Sequence, residues 1–584
     1  MAPARPNFLI IIADDLGFSD VGCFGGEIKT PNLDSLGRTG VRFKDFHAAA
    51  ACSPTRAMLM SGTDHHLTGL GQLVEFTSNS PAHQGKPGHE GYLTDNVATL
   101  PEVLRDGGYH TIMSGKWHLG LRPEYSPNAR GFTRAFTLLP GCANHYGWEP
   151  QIEENGISPK FFDTAVAALH MEDREYVDNS KLPDDFYSTD HYTNKLLQYF
   201  EERPTDKPFF AYLPYSAPHW PLQAPKENSS RYKGVYTDGP EALRQKRLQG
   251  LIREGLASAD VKAHPVVAPG SNEWEDMDDI TRAKSAKAME VYAGMVDRMD
   301  ENIGKVITYL KDNDLYDNTM IFFASDNGAE GASYEMLPVI GDNITAHIEK
   351  YYNNSLDNIG QKDSFVWYGS RWAQAATAPS RLFKMFSTEG GVRVPLIMKP
   401  LGSGNPSICD EFCTMMDIMP TLLELAGIEK PGSTYNGRSV NSMRGSSWVP
   451  YLNGSAEHIH DDDHVTGWEL IGNGALRKGN WKINFVNKPF GPEAWQLYNL
   501  SVDPGETTDL AEQEPEKLKE LIHHWQQYAL ETQVVGLKPD LGTIVVRDEM
   551  DDPTKWMKYE TSSGISKQLK NERAAAKVID EHFI

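Results

Sequence analysis

Long apolar runs are missing from this chain of 584 residues. The N-terminal run 8–13 is far shorter than the roughly 20 residues that cross a bilayer, and it stops at Asp14-Asp15. No small-residue cleavage site follows it, so no signal peptide is expected and the expected location is cytoplasmic. Cysteine is scarce: Cys23, Cys52, Cys142, Cys409 and Cys413 make an odd count of 5 with no CxxC spacing. That excludes a disulfide scaffold. Cys409 and Cys413 would share a helix face, but no histidine pair nearby completes a zinc set. Four of these cysteines read as small buried apolar residues. Basic residues are also short, 56 Lys and Arg against 80 Asp and Glu, a net charge of −24. This excludes nucleic acid and anionic membrane as partners, because like charge opposes the approach. Taken over the whole chain, the same charge speaks against any anionic substrate.

What is present is an ordinary globular composition, 40% apolar and 23% charged. Phe8-Leu9-Ile10-Ile11-Ile12-Ala13 is short and rich in β-branched residues, which predicts a strand buried on both faces. Similar runs occupy 110–113, 208–213 and 319–324, with helical patterns at Leu100–Asp106 and 283–313 between them. That alternation predicts an α/β domain. The stretches 74–96, 155–183 and 232–278 read as surface excursions. Near the end, runs at Val465–Leu470, 474–476, 481–486 and 495–500 read as short antiparallel strands separated by Gly-Asn turns. A helix is predicted over Pro515–Thr532, with Leu518, Leu521, Ile522, Trp525 and Leu530 as its apolar stripe. The expected organisation is an α/β domain over 1–440, an antiparallel-sheet-plus-helix domain over 441–535, and an extension over 536–584 that reads equally as an oligomerisation arm or a loosely ordered tail.

Several predicted strands run straight into polar residues. Strand 8–13 meets Asp14-Asp15, strand 319–324 meets Asp326-Asn327-Gly328, strand 110–113 meets Lys116-Trp117-His118, and strand 208–213 meets Ala217-Pro218-His219-Trp220. Open α/β sheets bind ligands beyond the carboxyl ends of their strands, so these loops are expected to converge. Asp14, Asp15, Asp326 and Asn327 offer only oxygen ligands, which suit a hard divalent cation; calcium is favoured over magnesium because it tolerates irregular ligation. In Cys52-Ser53-Pro54-Thr55-Arg56, Ser53 reads as a helix cap, Pro54 as the first helical residue and Gly62 as the stop. Cys52 is thereby placed at a helix N-terminus, which favours an anion, with Arg56 on the same face.

Cys52-Ser53-Pro54-Thr55-Arg56 resembles the signature of the sulfatase family, whose cysteine is converted to formylglycine. Segments 7–17, 30–34, 115–120, 217–221, 325–328 and 389–395 resemble that family in family order, and 495–506 resembles its C-terminal domain. The similarity spans roughly 5–535 and is closest to bacterial-type cytosolic arylsulfatases. It implies a large mixed β-sheet sandwiched by helices with a smaller C-terminal sheet and helix. It also implies hydrolysis of sulfate monoesters, a maturation enzyme acting on Cys52, and a bound cation.

The roles implied by the resemblance are these. A hydroxyl of the hydrated formylglycine from Cys52 attacks sulfur. Asp14, Asp15, Asp326 and Asn327 hold the cation, with modified Cys52 as a further ligand. Arg56 holds the ionised diol, and Lys116 and Lys384 contact sulfate. His118 is the base that releases sulfate, and His219, as a group titrating near neutrality, protonates the leaving alcohol or phenol. Trp117, Trp220, Trp367, Tyr368 and Trp372 are expected near an apolar mouth for an aryl or alkyl group. Counting the cation, Arg56, Lys116 and Lys384 against the three aspartates leaves a local positive surplus, which removes the global objection to an anion. The same apparatus could act on phosphonate or phosphate esters. Two rivals leave Cys52 a thiol, as a non-catalytic anion binder or a redox protein; the absence of a resolving cysteine nearby opposes the latter.

Overall fold

The computed structural model describes residues 5–77, 80, 82–148, 168–332, 348–402 and 406–536. A 10-stranded sheet organises the larger part. From edge to edge its strands are Ser407–Cys409, Val41–Phe43, Leu396–Lys399, Thr319–Ser325, Asn7–Ala13, Phe209–Pro214, His110–Lys116, Arg134–Leu138, His170–Glu172 and Glu175–Tyr176. Asn7–Ala13 pairs in parallel with both neighbours, whereas Leu396–Lys399 runs antiparallel, so the sheet is mixed. The central strand shows why its sequence reads as a continuous apolar run. Leu9, Ile11 and Ala13 join the core on one face, and Phe8, Ile10 and Ile12 join the core on the other. Successive strand side chains point to opposite faces, and both faces here are covered.

One covering helix is Asp279–Asp312, of 34 residues. Asp278 caps it by accepting from the Thr281 N–H at 2.7 Å, and Met289, Val296, Met299, Ile303, Val306 and Leu310 are buried against the first core. On the other face lies Cys52–Ser61, every residue of which is buried. Among the described residues no helix is long and apolar enough to cross a membrane.

A separate 4-stranded antiparallel sheet forms from Val465–Leu470, Asn473–Lys478, Trp481–Phe485 and Trp495–Asn499. Helix Pro515–Thr532 packs on it through Leu521, Trp525 and Tyr528. Leu530 does not belong to that stripe and is 82% exposed. At 100° per residue, nine positions from Leu521 turn it to the opposite side, while 525, 528 and 532 stay on the buried one.

Other expectations change. Cys409 and Cys413 lie on two short strands rather than one helix. The stretch 232–278 is not merely an excursion, because helix Gly239–Arg253 within it buries Arg244 and Arg247. Of the extension over 536–584, all but residue 536 lies outside the described residues, as does 155–167 of the stretch 155–183.

Candidate active site

Asp14 and Asp15 follow the central strand. Asp15 holds a left-handed φ of 68°, a costly conformation for a non-glycine residue. It is fixed from outside: the Asp14 N–H donates to Ala217 O at 3.0 Å, the Asp15 N–H to Asp326 Oδ1 at 3.2 Å, and the Leu16 N–H to Ser325 Oγ at 2.9 Å. Three strand ends are thus tied together through backbone N–H donors, two of them to side-chain oxygens.

Helix Cys52–Ser61 begins two residues earlier than its sequence suggests. The residue before it is Ala51, whose carbonyl accepts from the Thr55 N–H at 3.1 Å. Ser53 does not cap it; its Oγ is buried with no partner. Gly62 does stop the helix, in the left-handed region at φ 66°. Cys52 is therefore the first helical residue, and its Sγ lies 3.2 Å from Asp14 Oδ1 and 3.5 Å from Asp15 Oδ1. Burial and the Asp14 and Asp326 carboxylates push the thiol well above its ordinary range, against the pull of Lys116 and Lys384. The chain alone makes no thiolate here, which opposes a redox reading.

The cations are all buried and all paired. Arg56 donates from Nε and Nη2 to Asp326 Oδ2 at 2.9 and 2.7 Å, and from Nη1 to Lys116 O. Lys116 Nζ donates to both Asp14 oxygens at 2.9 and 2.7 Å. Lys384 is not a solvated loop lysine. It is 5% exposed, sits between Leu382 and Met385 in left-handed backbone, and reaches Asp15 Oδ2 and Glu330 Oε2 at 3.0 Å each. Burial with the Asp326 and Asp15 carboxylates pushes the Asp14 carboxyl up to about 7, against Lys116 and Arg56.

His219 donates from Nδ1 to Trp220 O at 2.7 Å, so Nε2 carries the lone pair, 3.3 Å from Lys384 Nζ and 3.3 Å from Asp15 Oδ2. It does not titrate near neutrality: burial, then Lys384 and Lys116, hold it well below the ordinary value. His118 is buried beside Glu75. Of the predicted aromatics, Trp117 and Trp372 belong to the cores, and Tyr368 stacks on Tyr292 at 4.7 Å. Trp220 and Trp367 pack together 5.5 Å apart, with Trp220 against His219.

Two functional-site carboxylates escape the sequence. Glu330 follows Asp326-Asn327 closely, and its spacing was a usable signal. Glu75 lies in a stretch with no periodicity to mark it. Together they cancel the local positive surplus counted from the sequence.

A carboxylate oxygen from each of Asp14 and Asp15, the Cys52 sulfur and a His219 nitrogen lie within 4.8 Å of one another, a group that could hold a cation and that does not include Asp326. Asn327 donates from Nδ2 to Asp15 Oδ1 at 2.7 Å, leaving its Oδ1 buried with no partner, a donor oxygen facing no hydrogen. An oxygen without a hydrogen-bond partner is available to a cation.

A buried cysteine at a helix start, three aspartates and three paired cationic side chains meet beyond the carboxyl ends of strands in a mixed sheet, an arrangement suited to the hydrolysis of anionic esters. The sulfatase family model matches residues 6–428, and the chain belongs to that family. It is 48% identical over 92% of its length to an uncharacterized sulfatase of Schizosaccharomyces pombe, covering 95% of that protein. It is 36% identical over 76% of its length to an arylsulfatase of Klebsiella aerogenes, covering 91% of that protein. The crystal structure of Ps i-CgsB in complex with k-i-k-neocarrahexaose superposes with a TM-score of 0.62 at 23% identity, covering 97% of this chain and all of that one.

Proposed function

We propose that the chain hydrolyses aryl or alkyl sulfate monoesters through a formylglycine made from Cys52, with Ca2+ held by Asp14, Asp15, Asp326 and Asn327. One observation carries this reading: Cys52 opens a buried helix within 3.5 Å of two aspartates, between the Lys116 and Lys384 ammonium groups. Formylglycine at this position supplies a hydroxyl nucleophile. The oxygens of Asp14, Asp15, Asp326 and Asn327 would hold the cation, and Ca2+ would be preferred over Mg2+ because it tolerates irregular ligation.

The chain's own groups do the rest. Arg56 holds Asp326 in place with two hydrogen bonds. Lys116, held by Asp14, and Lys384, held by Asp15, would contact the sulfate oxygens and stabilise charge developing there. Lys384 and His219 together hold the proton for the leaving oxygen, with Lys384 as its main carrier because His219 is neutral. Trp220 and Trp367 form the apolar wall beside that proton. A dianionic phosphate is disfavoured, since Glu75 and Glu330 remove the surplus positive charge it would need.

The test is a turnover screen of 4-nitrophenyl, alkyl and sugar sulfates, beside the matching phosphate and phosphonate, on protein whose Cys52 conversion is quantified by peptide mass. Sulfate turnover that scales with conversion, and is restored by Ca2+ after chelation, supports the reading. Full conversion without sulfate turnover overturns it.

A further inference from the structure

His118 follows strand His110–Lys116 and holds a left-handed φ of 57°. Its ring is buried, and Nε2 lies 3.3 Å from Glu75 Oε1, itself buried. A carboxylate can only accept, so Nε2 carries the hydrogen and Nδ1 the lone pair. Nδ1 is buried and has no hydrogen-bond partner. Gly141 closes the other side. A Cβ there would lie 2.9 Å from His118 Cε1, 3.0 Å from Nε2 and 3.3 Å from Glu75 Oε1, so only glycine lets the pair close.

We infer that Glu75 is a positioning residue: it fixes His118 in the Nε2–H tautomer and so presents the Nδ1 lone pair as a proton acceptor. The consequence for turnover rests on the sulfate-ester reading above; the tautomer does not. The charged groups facing the ring are Glu75, Lys116 and Arg56. The Cys142 thiol also faces Glu75 and Lys116 and is kept protonated by burial. Burial lowers His118, Glu75 raises it, and Lys116 and Arg56 lower it again, leaving it below its ordinary value. Burial also works against the Glu75 anion, but His118 outweighs it and the carboxyl stays below its ordinary value. A neutral imidazole held by an anion at one nitrogen is a base at the other, as oriented catalytic histidines are.

Nitrogen NMR of labelled histidines, with His118→Asn to assign the ring, reads the tautomer directly. Wild type is expected to show Nε2–H, and Glu75→Ala a mixed population. Steady-state assays with 4-nitrophenyl sulfate should give a kcat lower by roughly 10- to 100-fold in Glu75→Ala, KM within about 3-fold, and an acidic limb at lower pH. Glu75→Asp should recover part of both. Should Glu75→Ala fold poorly, Gly141→Ala carries the same expectation by steric separation of the pair. A wild-type ring protonated on Nδ1, or unchanged tautomer and kcat in both variants, overturns the inference. Absent sulfate turnover at full Cys52 conversion sinks the sulfate reading alone, because the NMR still decides the role of Glu75.

Discussion

Lys482, in the C-terminal sheet and without solvent contact, donates to Glu389 Oε1 at 2.7 Å. Glu389 also takes His47 Nε2 at 3.0 Å, and its own N–H donates to Glu506 Oε2 at 3.1 Å. Glu506 lies 3.2 Å from Lys482. Glu389 opens the short helix Glu389–Val392, and the Gly390 N–H returns to Arg381 O, closing the strap that carries Lys384. The small sheet thus anchors a lysine of the site in the large one.

Lys482→Met should therefore leave two buried carboxylates sharing no cation. The cost is expected at about 3–5 kcal/mol, read as a lower urea midpoint at unchanged slope. Adding Glu389→Gln should recover part of it. A Lys482→Met protein with the wild-type midpoint would show that the network does not hold the two sheets together.

Lys116 tests the site itself. Its Nζ is bidentate to Asp14, and its backbone carbonyl takes Arg56. Lys116→Met should lower kcat/KM for 4-nitrophenyl sulfate by roughly 10²–10³-fold at matched Cys52 conversion. A value within a few-fold of wild type would remove Lys116 from the transition state.

The central strands were legible because strands buried on both faces need unbroken apolar runs, and residues 8–13 and 319–324 have them. Asp14-Asp15 and Asp326-Asn327 could be placed at strand ends because each pair directly follows such a run, and Lys116 because it closes the strand after 110–113; Lys384 entered only through the family resemblance. What was not legible depends on contacts distant in sequence. Ser53 is an ordinary capping residue, yet Ala51 takes the cap position and the Ser53 hydroxyl is left buried without a partner. The low basicity of His219 comes first from burial and then from Lys384, 165 residues away. Glu75 meets His118 only through the fold, and nothing local in 74–96 marks it.

Gly467 tests the packing of the C-terminal helix. A Cβ there would come within 2.5 Å of the Tyr528 ring, and the Tyr528 hydroxyl donates to Asp64 Oδ2 at 2.9 Å. Gly467→Ala should cost about 1–3 kcal/mol by displacing Tyr528. Tyr528→Leu should relieve most of the added cost in the double variant, because the ring is then gone. Additive effects would place the strain elsewhere.

Asp64 in turn receives the His66 ring, with Nδ1 at 2.9 Å, while His66 Nε2 meets Glu469 Oε2 at 3.1 Å. Burial works against the charge on His66, but Asp64 and Glu469 outweigh it and raise its pKa from 6.5 to about 9. A raised folded value gives stability that is complete below pH 6.5 and lost as pH climbs through 9, at most about 3 kcal/mol. Neighbouring His65 behaves oppositely. Burial, then the charge on His66, lower it from 6.5 to about 3, so its contribution is complete above pH 6.5 and lost as pH falls towards 3. The pair should therefore place a stability maximum near pH 6.5. Urea titrations of wild type and His66→Gln at half-unit steps isolate one side: the difference between them should shrink from pH 7 to 9. A constant difference across that range would mean that His66 is not the proton lost on the alkaline side.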